Sequence, residues 1–272
     1  SDYRSLQMQY ETRSAAGLNA TVSYTLGRSV DTSSTDSAYL LSVDPDQLAL
    51  DRAPSDFDVR HTLSAGITFE IPTLRSNRYL SAITGGWTLG STLILRSAMP
   101  ITFVEAANTI CEGNNCFVDC DVFPNGLCPR PDFVPGVPLY LHGSEYPGGM
   151  RLNPAAFKTP PLGRQGTLPR NYLRGFAAQQ VNLSLSREFG VTERARLQLT
   201  VEAFNVFNHP NFAEPTAFLF NDPIFDLYEF GFSRSMLGSV MGNTGSGGEA
   251  GLNPIYQIGS ARSLQLSLRF KF

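Results

Sequence analysis

VNLSLSREFGVTERARLQLTVEAFNVFN, residues 181–208, decides the fold. Val181, Leu183 and Leu185 share one parity, and so do Ala195, Leu197, Leu199, Val201 and Ala203. Asn182, Ser184, Ser186, Gln198, Thr200 and Glu202 hold the other. Successive side chains of a strand point to opposite faces, so this period of two predicts two strands joined through residues 190–193. Pairing Gly190 with Arg194 places Glu188 opposite Arg196, Ser186 opposite Gln198, Ser184 opposite Thr200 and Asn182 opposite Glu202. Leu183 then meets Val201, and Leu185 meets Leu199. One face is a greasy wall and the other is wet. Both strands exceed the usual mode of about five or six residues and reach the roughly nine to eleven tilted residues that cross a bilayer.

The same pattern recurs along the chain. In residues 3–12, Leu6, Met8 and Tyr10 alternate with Gln7, Gln9 and Glu11, and residues 18–26 set Leu18, Ala20, Val22, Tyr24 and Leu26 against Asn19, Thr21, Ser23 and Thr25. Residues 58–71 alternate until Pro72 stops them, and in residues 86–96 Trp87, Leu89, Leu93 and Leu95 are in phase. The chain closes with ARSLQLSLRFKF, its Leu264, Leu266, Leu268, Phe270 and Phe272 on one side. Seven strands result, and their connections alternate short, long, short, long, short, long. Outer-membrane barrels have short periplasmic turns, long outer loops and aromatic girdles at both interfaces. A terminus on the periplasmic side puts segments 27–57, 97–178 and 209–260 outside. The fold class expected is therefore all-β, an antiparallel transmembrane β-barrel segment. Because single-chain bacterial barrels have an even strand count, the odd count predicts a slice of a longer protein. So does SDYRSLQMQY at the N-terminus, which carries neither an initiator Met nor a signal pattern.

Composition excludes other classes. The 272 residues carry a net charge of -3 with a pI near 5.6, which leaves no basic footprint for nucleic acid. A mean hydropathy of -0.11 resembles that of a soluble protein. In a membrane barrel, however, the polar lumen half cancels the lipid half.

The chemistry expected is recognition rather than catalysis, with no metal and no cofactor. His61 lies on the lipid-facing parity, where an amphipathic ring suits the interface, His209 begins a loop before Pro210, and His142 sits in the longest loop with no paired carboxylate at useful spacing. Cys111, Cys116, Cys120 and Cys128 lie close together without paired C-x-x-C knuckles. They read as disulfide candidates in an outer loop, three pairings being possible, with zinc as the alternative. By parity Arg60, Glu70, Asn182, Glu188, Arg196 and Glu202 face the lumen, as ligand or plug contacts or as an ion-pair ladder that solvates the wall. Tyr10, Tyr24, Phe69, Trp87, Phe189 and Phe207 are candidates for the girdles.

The connecting motifs carry a resemblance. DFDVRHTLSAGITFEIP (56–72), GGWTLGSTLILRSAMPIT (85–102), RPDFVPGVPLY (130–140), LNPAAF (152–157), GRQGTLPRNYLRG (163–175), VEAFNVFNHPNFAEP (201–215) and the terminal ARSLQLSLRFKF resemble the C-terminal end of TonB-dependent receptors. The closest type is the Oar-like one, with a carboxypeptidase-regulatory-like domain. The resemblance implies a barrel of about 22 strands with a plugged lumen, whose plug, N-terminal domains and remaining strands lie outside this chain. It also implies energy from the TonB complex, an unknown extracellular ligand, outer-membrane lipid around the wall, and a terminal strand whose Phe270 and Phe272 are read by the barrel-assembly machinery. Two alternatives stay open. One is a small autonomous outer-membrane barrel with an adhesive or structural role. The other is a secreted soluble carbohydrate-binding β protein, using Trp87 and surface tyrosines as sugar platforms.

Overall fold

The computed structural model describes residues 1–34, 48–74, 76–106, 108–112, 115–119, 130–161, 165–192, 195–216, 218–220, 230–237, 259 and 261–272. All seven expected strands are present: β1 (Asp2–Arg13), β2 (Leu18–Asp31), β3 (His61–Glu70), β4 (Trp87–Arg96), β5 (Ala178–Gly190), β6 (Arg196–Phe204) and β7 (Ser263–Lys271). They form one antiparallel sheet in chain order, with the short strand Ala53–Pro54 added beside β2. No described helix is long and apolar enough to cross a membrane.

Register aligns the apolar positions across the whole sheet. Leu18 pairs with Phe69, Phe69 with Leu89, Leu89 with Leu185, Leu185 with Val201 and Val201 with Leu266, one row over six strands. The next row on the opposite face runs Thr68, Gly90, Ser184, Glu202 and Gln265. The apolar face is open over much of its area: Leu6, Met8, Leu264, Leu266 and Leu268 are all exposed. Among the described residues, Ala178 is the sole buried hydrophobic residue of the seven strands.

The central hairpin corrects one expectation. Gly190 pairs with Arg196, not Arg194, so Glu188 faces Gln198, Ser184 faces Glu202, Leu183 faces Ala203 and Leu185 faces Val201. The amides of Val191 and Thr192 both donate to the Ala195 carbonyl, at 2.9 and 3.1 Å, which lengthens the turn and moves the register by two residues. A two-residue slip returns every side chain to its face, so apolar still meets apolar.

The connection between β3 and β4 contains a short helix, α1 (Arg78–Thr84). Asn77 caps it, accepting from the Leu80 amide at 2.7 Å, and Thr84 closes it by donating to the Leu80 carbonyl at 2.7 Å. Gly86 then leads into β4 with φ +76°, and a Cβ there would lie 2.9 Å from the Glu188 carbonyl oxygen. Both its handedness and its closeness to β5 demand glycine.

Candidate functional site

The true hydrophobic core lies beyond the long-loop end of the sheet, in a folded head. Ile101, Phe103, Leu152, Ala156, Phe157, Leu168, Leu173 and Phe230 are buried together. Phe103 meets Phe157 edge-on with centroids 4.7 Å apart, and Phe230 lies 5.0 Å from Phe103. Short strand pairs brace the head: Asp132–Phe133 with Phe157–Lys158, Tyr140–His142 with Met150–Leu152, and Leu173–Arg174 with Pro100–Ile101. Gly231, at φ +78°, packs where a Cβ would sit 2.7 Å from the Leu152 carbonyl oxygen.

Three arginines from distant loops lock this head to the loop after β2. Arg130 donates to Asp51 at 2.7 Å, both side chains being buried. Arg170 pairs with Asp31 and reaches Asp56 at 3.4 Å, the Asp51 carbonyl at 3.2 Å and Ser34 Oγ at 3.2 Å. Arg174 holds Asp58 at 2.6 Å, and the other Asp58 oxygen accepts the Ser29 amide at 2.7 Å. Asn171, at φ 56°, a left-handed position asparagine tolerates, donates to Asp56 at 2.6 Å and to the Pro54 carbonyl at 2.8 Å. Buried charges persist only when paired and hydrogen-bonded, and these ion pairs tie the described parts of the loops together. Tyr140 joins it, donating to the Arg174 carbonyl and accepting the Arg174 amide at 2.8 Å, and burial pushes its phenol above the usual range.

A cavity of about 320 Å³ opens where the head meets β4, lined by Arg96, Met99, Glu214, Thr216, Arg234 and Ser235 among others. Its volume is at the lower end of small-molecule sites. Burial raises the Glu214 carboxyl above its ordinary pKa, with Arg96 pulling it down and Asp56 pushing it up. Two guanidinium groups beside one carboxyl suit an anionic or hydrogen-bonding solute. A second cavity of about 480 Å³, with Tyr24, His61, Leu63, Leu95, Gln179 and His209 on its walls, opens on the apolar face just below the head. Tyr24, His61, Leu63, Leu95 and Gln179 share the apolar parity, whereas Arg96 and Ala178 on the same walls hold the other, so the cavity sits at the head-side end of the apolar face.

The residues expected at the lumen are brought together only in part. Glu188 accepts from Arg196 at 2.8 Å and from Lys271 at 3.0 Å, a partly exposed ion cluster over three strands at the short-turn end. Asn182 donates to Thr92 Oγ1 at 3.0 Å and accepts the Asn205 amide at 2.9 Å. Arg60 sits 3.7 Å from Asp58 below the head, Glu202 stands between Ser184 and Gln265, and Glu70 pairs with Thr88. These six residues form no single binding site. The buried arginines of the head were missed, although RPDF and LPRNYLRG place them in otherwise proline- and glycine-rich loops, where an arginine needs a reason.

The girdle candidates lie on the apolar face or at its edges. Tyr10 is exposed near the short turn, and the Tyr24 hydroxyl meets His61 Nδ1 at 2.8 Å near the other end. Trp87 Nε1 donates to the Ile83 carbonyl at 2.8 Å. Phe69 shares its row with Leu89, Phe189 pairs with Leu197, and Phe207 is exposed just past β6. Phe270 and Phe272 lie with ring centroids 6.0 Å apart, tilted to each other and exposed at the end of the last strand. For the cysteines, the backbone register of the hairpin Asn108–Glu112 and Asn115–Asp119 sets Cys111 opposite Cys116. Cys120 and Cys128, and the side chains of all four, lie outside the described residues.

A family model described as an outer membrane beta barrel domain matches residues 1–250. No curated protein matches the chain, and no solved structure does.

Proposed function

The chain belongs to the outer membrane beta barrel domain family and resides in the outer membrane of a Gram-negative bacterium, and from that premise we propose that it forms part of a TonB-dependent transporter of the Oar-like type. The observation that carries this reading is the open wall. In the described pairings β1 and β7 each keep one edge without a partner, which suits a sector of a much larger, plugged barrel. The head supports it as well. Its loops, tied together by arginine ion pairs, offer an outer surface for capturing a bulky solute, and the cavity beside Arg96, Glu214 and Arg234 supplies charged contacts below it. Uptake would then follow from TonB-driven displacement of a plug supplied by chain outside these strands. No covalent chemistry is required of the residues here.

The test is binding of the full-length, detergent-solubilised protein to the periplasmic domain of TonB. Micromolar binding that is competed by a peptide of its own N-terminal region supports the transporter. A full-length protein with no affinity for TonB overturns it in favour of a structural or adhesive barrel.

A further inference from the structure

We infer that α1 and the turn around it form an interfacial anchor, lying among the phospholipid headgroups of the periplasmic-side leaflet. The helix packs its own backbone but buries nothing. Tyr79 is 81% exposed and Ile83 64%, one turn apart on the same face, with Leu80 beside them and Leu74 exposed just before. Seven residues are too few to hold a helix by themselves in water, and an apolar stripe of this kind is unfavourable there.

The side on which α1 lies is settled by its contacts. Its carbonyls at Ala82 and Ile83 accept from Arg187 and from Trp87 Nε1. Arg187 and Trp87 are cross-strand partners and share the parity of Leu89 and Leu185, the face given to lipid. The apolar stripe is therefore continuous with the bilayer-facing wall and extends it past the strand ends. Arg4 and Arg28 share that parity at the head end, and among the described strand residues near the short turns Arg187 is the charged one on that face. Its guanidinium carbon lies 5.2 Å from the Trp87 ring centroid and 4.6 Å from that of Phe189, within cation–π range of both. At the depth of an aromatic girdle such a cation meets lipid phosphate. Phospholipid thus matches both parts of the surface, the acyl boundary taking Tyr79 and Ile83 and the phosphate taking Arg187.

The experiment is photo-crosslinking in the full-length protein within cell outer membranes, with Tyr79→p-benzoylphenylalanine compared with the same substitution at Leu89 on the wall and at Thr68 on the opposite face. Adducts are identified by mass. Phospholipid adducts at Tyr79 and Leu89 but not at Thr68 are expected. Lipid adducts at Leu89 with none at Tyr79, or protein adducts alone at Tyr79, overturn the anchor while leaving the barrel intact. Absence at both positions overturns the anchor together with the orientation of the wall. In vesicles of phosphatidylethanolamine and phosphatidylglycerol, Arg187→Gln is expected to remove any enrichment of phosphatidylglycerol among the Tyr79 adducts. An unchanged enrichment overturns the role of Arg187.

Discussion

Arg170 donates to Asp31, Asp56, Ser34 and the Asp51 carbonyl at once, which only a planar guanidinium with five donors can do. Its replacement leaves Asp31 buried without its partner. Removing one member of a buried pair costs about 3–5 kcal/mol, so Arg170→Ala is expected to loosen the head, and Arg170→Lys to rescue little. Hydrogen exchange checks this. Amides around Leu152 and Leu173 should exchange faster by orders of magnitude, while those of the wall strands stay protected. Glu214 acts in the opposite sense. Burial raises its folded-state pKa above the ordinary 4.5, so its contribution to stability is fully present below that value and is lost as pH rises through the folded pKa. Glu214→Gln removes this dependence. Its thermal stability relative to the parent should therefore increase from acid to neutral pH, as read in parallel melts, and a constant difference would rule the explanation out. Neither residue stood out in the sequence. Arg170 meets Asp31 across 139 positions, and no periodicity marks a contact between irregular loops.

The strands were legible for the opposite reason. A single sheet with one face in lipid and one in water writes its period directly into the sequence, and no tertiary core competes with the pattern. Parity placed Leu266 and Ser267 on opposite faces, and the pairings agree: Leu266 meets Val201, and Ser267 meets Thr200. What parity does not reveal is register. A slip of two residues preserves every face, so the added turn length at residues 191–195 had no hydrophobic signature. The same asymmetry between faces sets a test on β7. Leu266→Arg places a charge in hydrocarbon near the middle of the strand and is expected to destabilise by about 2–4 kcal/mol, whereas Ser267→Arg, facing the lumen, should cost little. Urea titrations of the full-length protein folded into vesicles measure both. Equal effects would mean that the face reading is wrong.

Across the whole molecule the number of strands carries more than their sequence. In an antiparallel meander of seven, the first and last strands run the same way, and here β1 and β7 both start at the head and end at the short turns. Closing β1 onto β7 would create a parallel pair in an otherwise antiparallel wall, against the even-stranded rule of single-chain bacterial barrels. Leaving both edges bare in hydrocarbon is worse, since each unsatisfied backbone group costs on the order of several kcal/mol. On the proposed transporter reading, further strands pairing with both edges would satisfy both demands. The head adds a geometric argument: it rests over the loop ends of this sheet with a core of its own, and a wide barrel has room for it over the lumen. The expected outcome is that Gln7→Cys and Ser267→Cys, both on the lumen parity of the edge strands, form no disulfide with each other in the full-length protein under oxidation. Each single variant, run alongside, accounts for pairing with the native cysteines. Quantitative Cys–Cys bonding between the two positions would mean that the sheet closes on itself, and the wall would then be a small barrel rather than a sector of a large one.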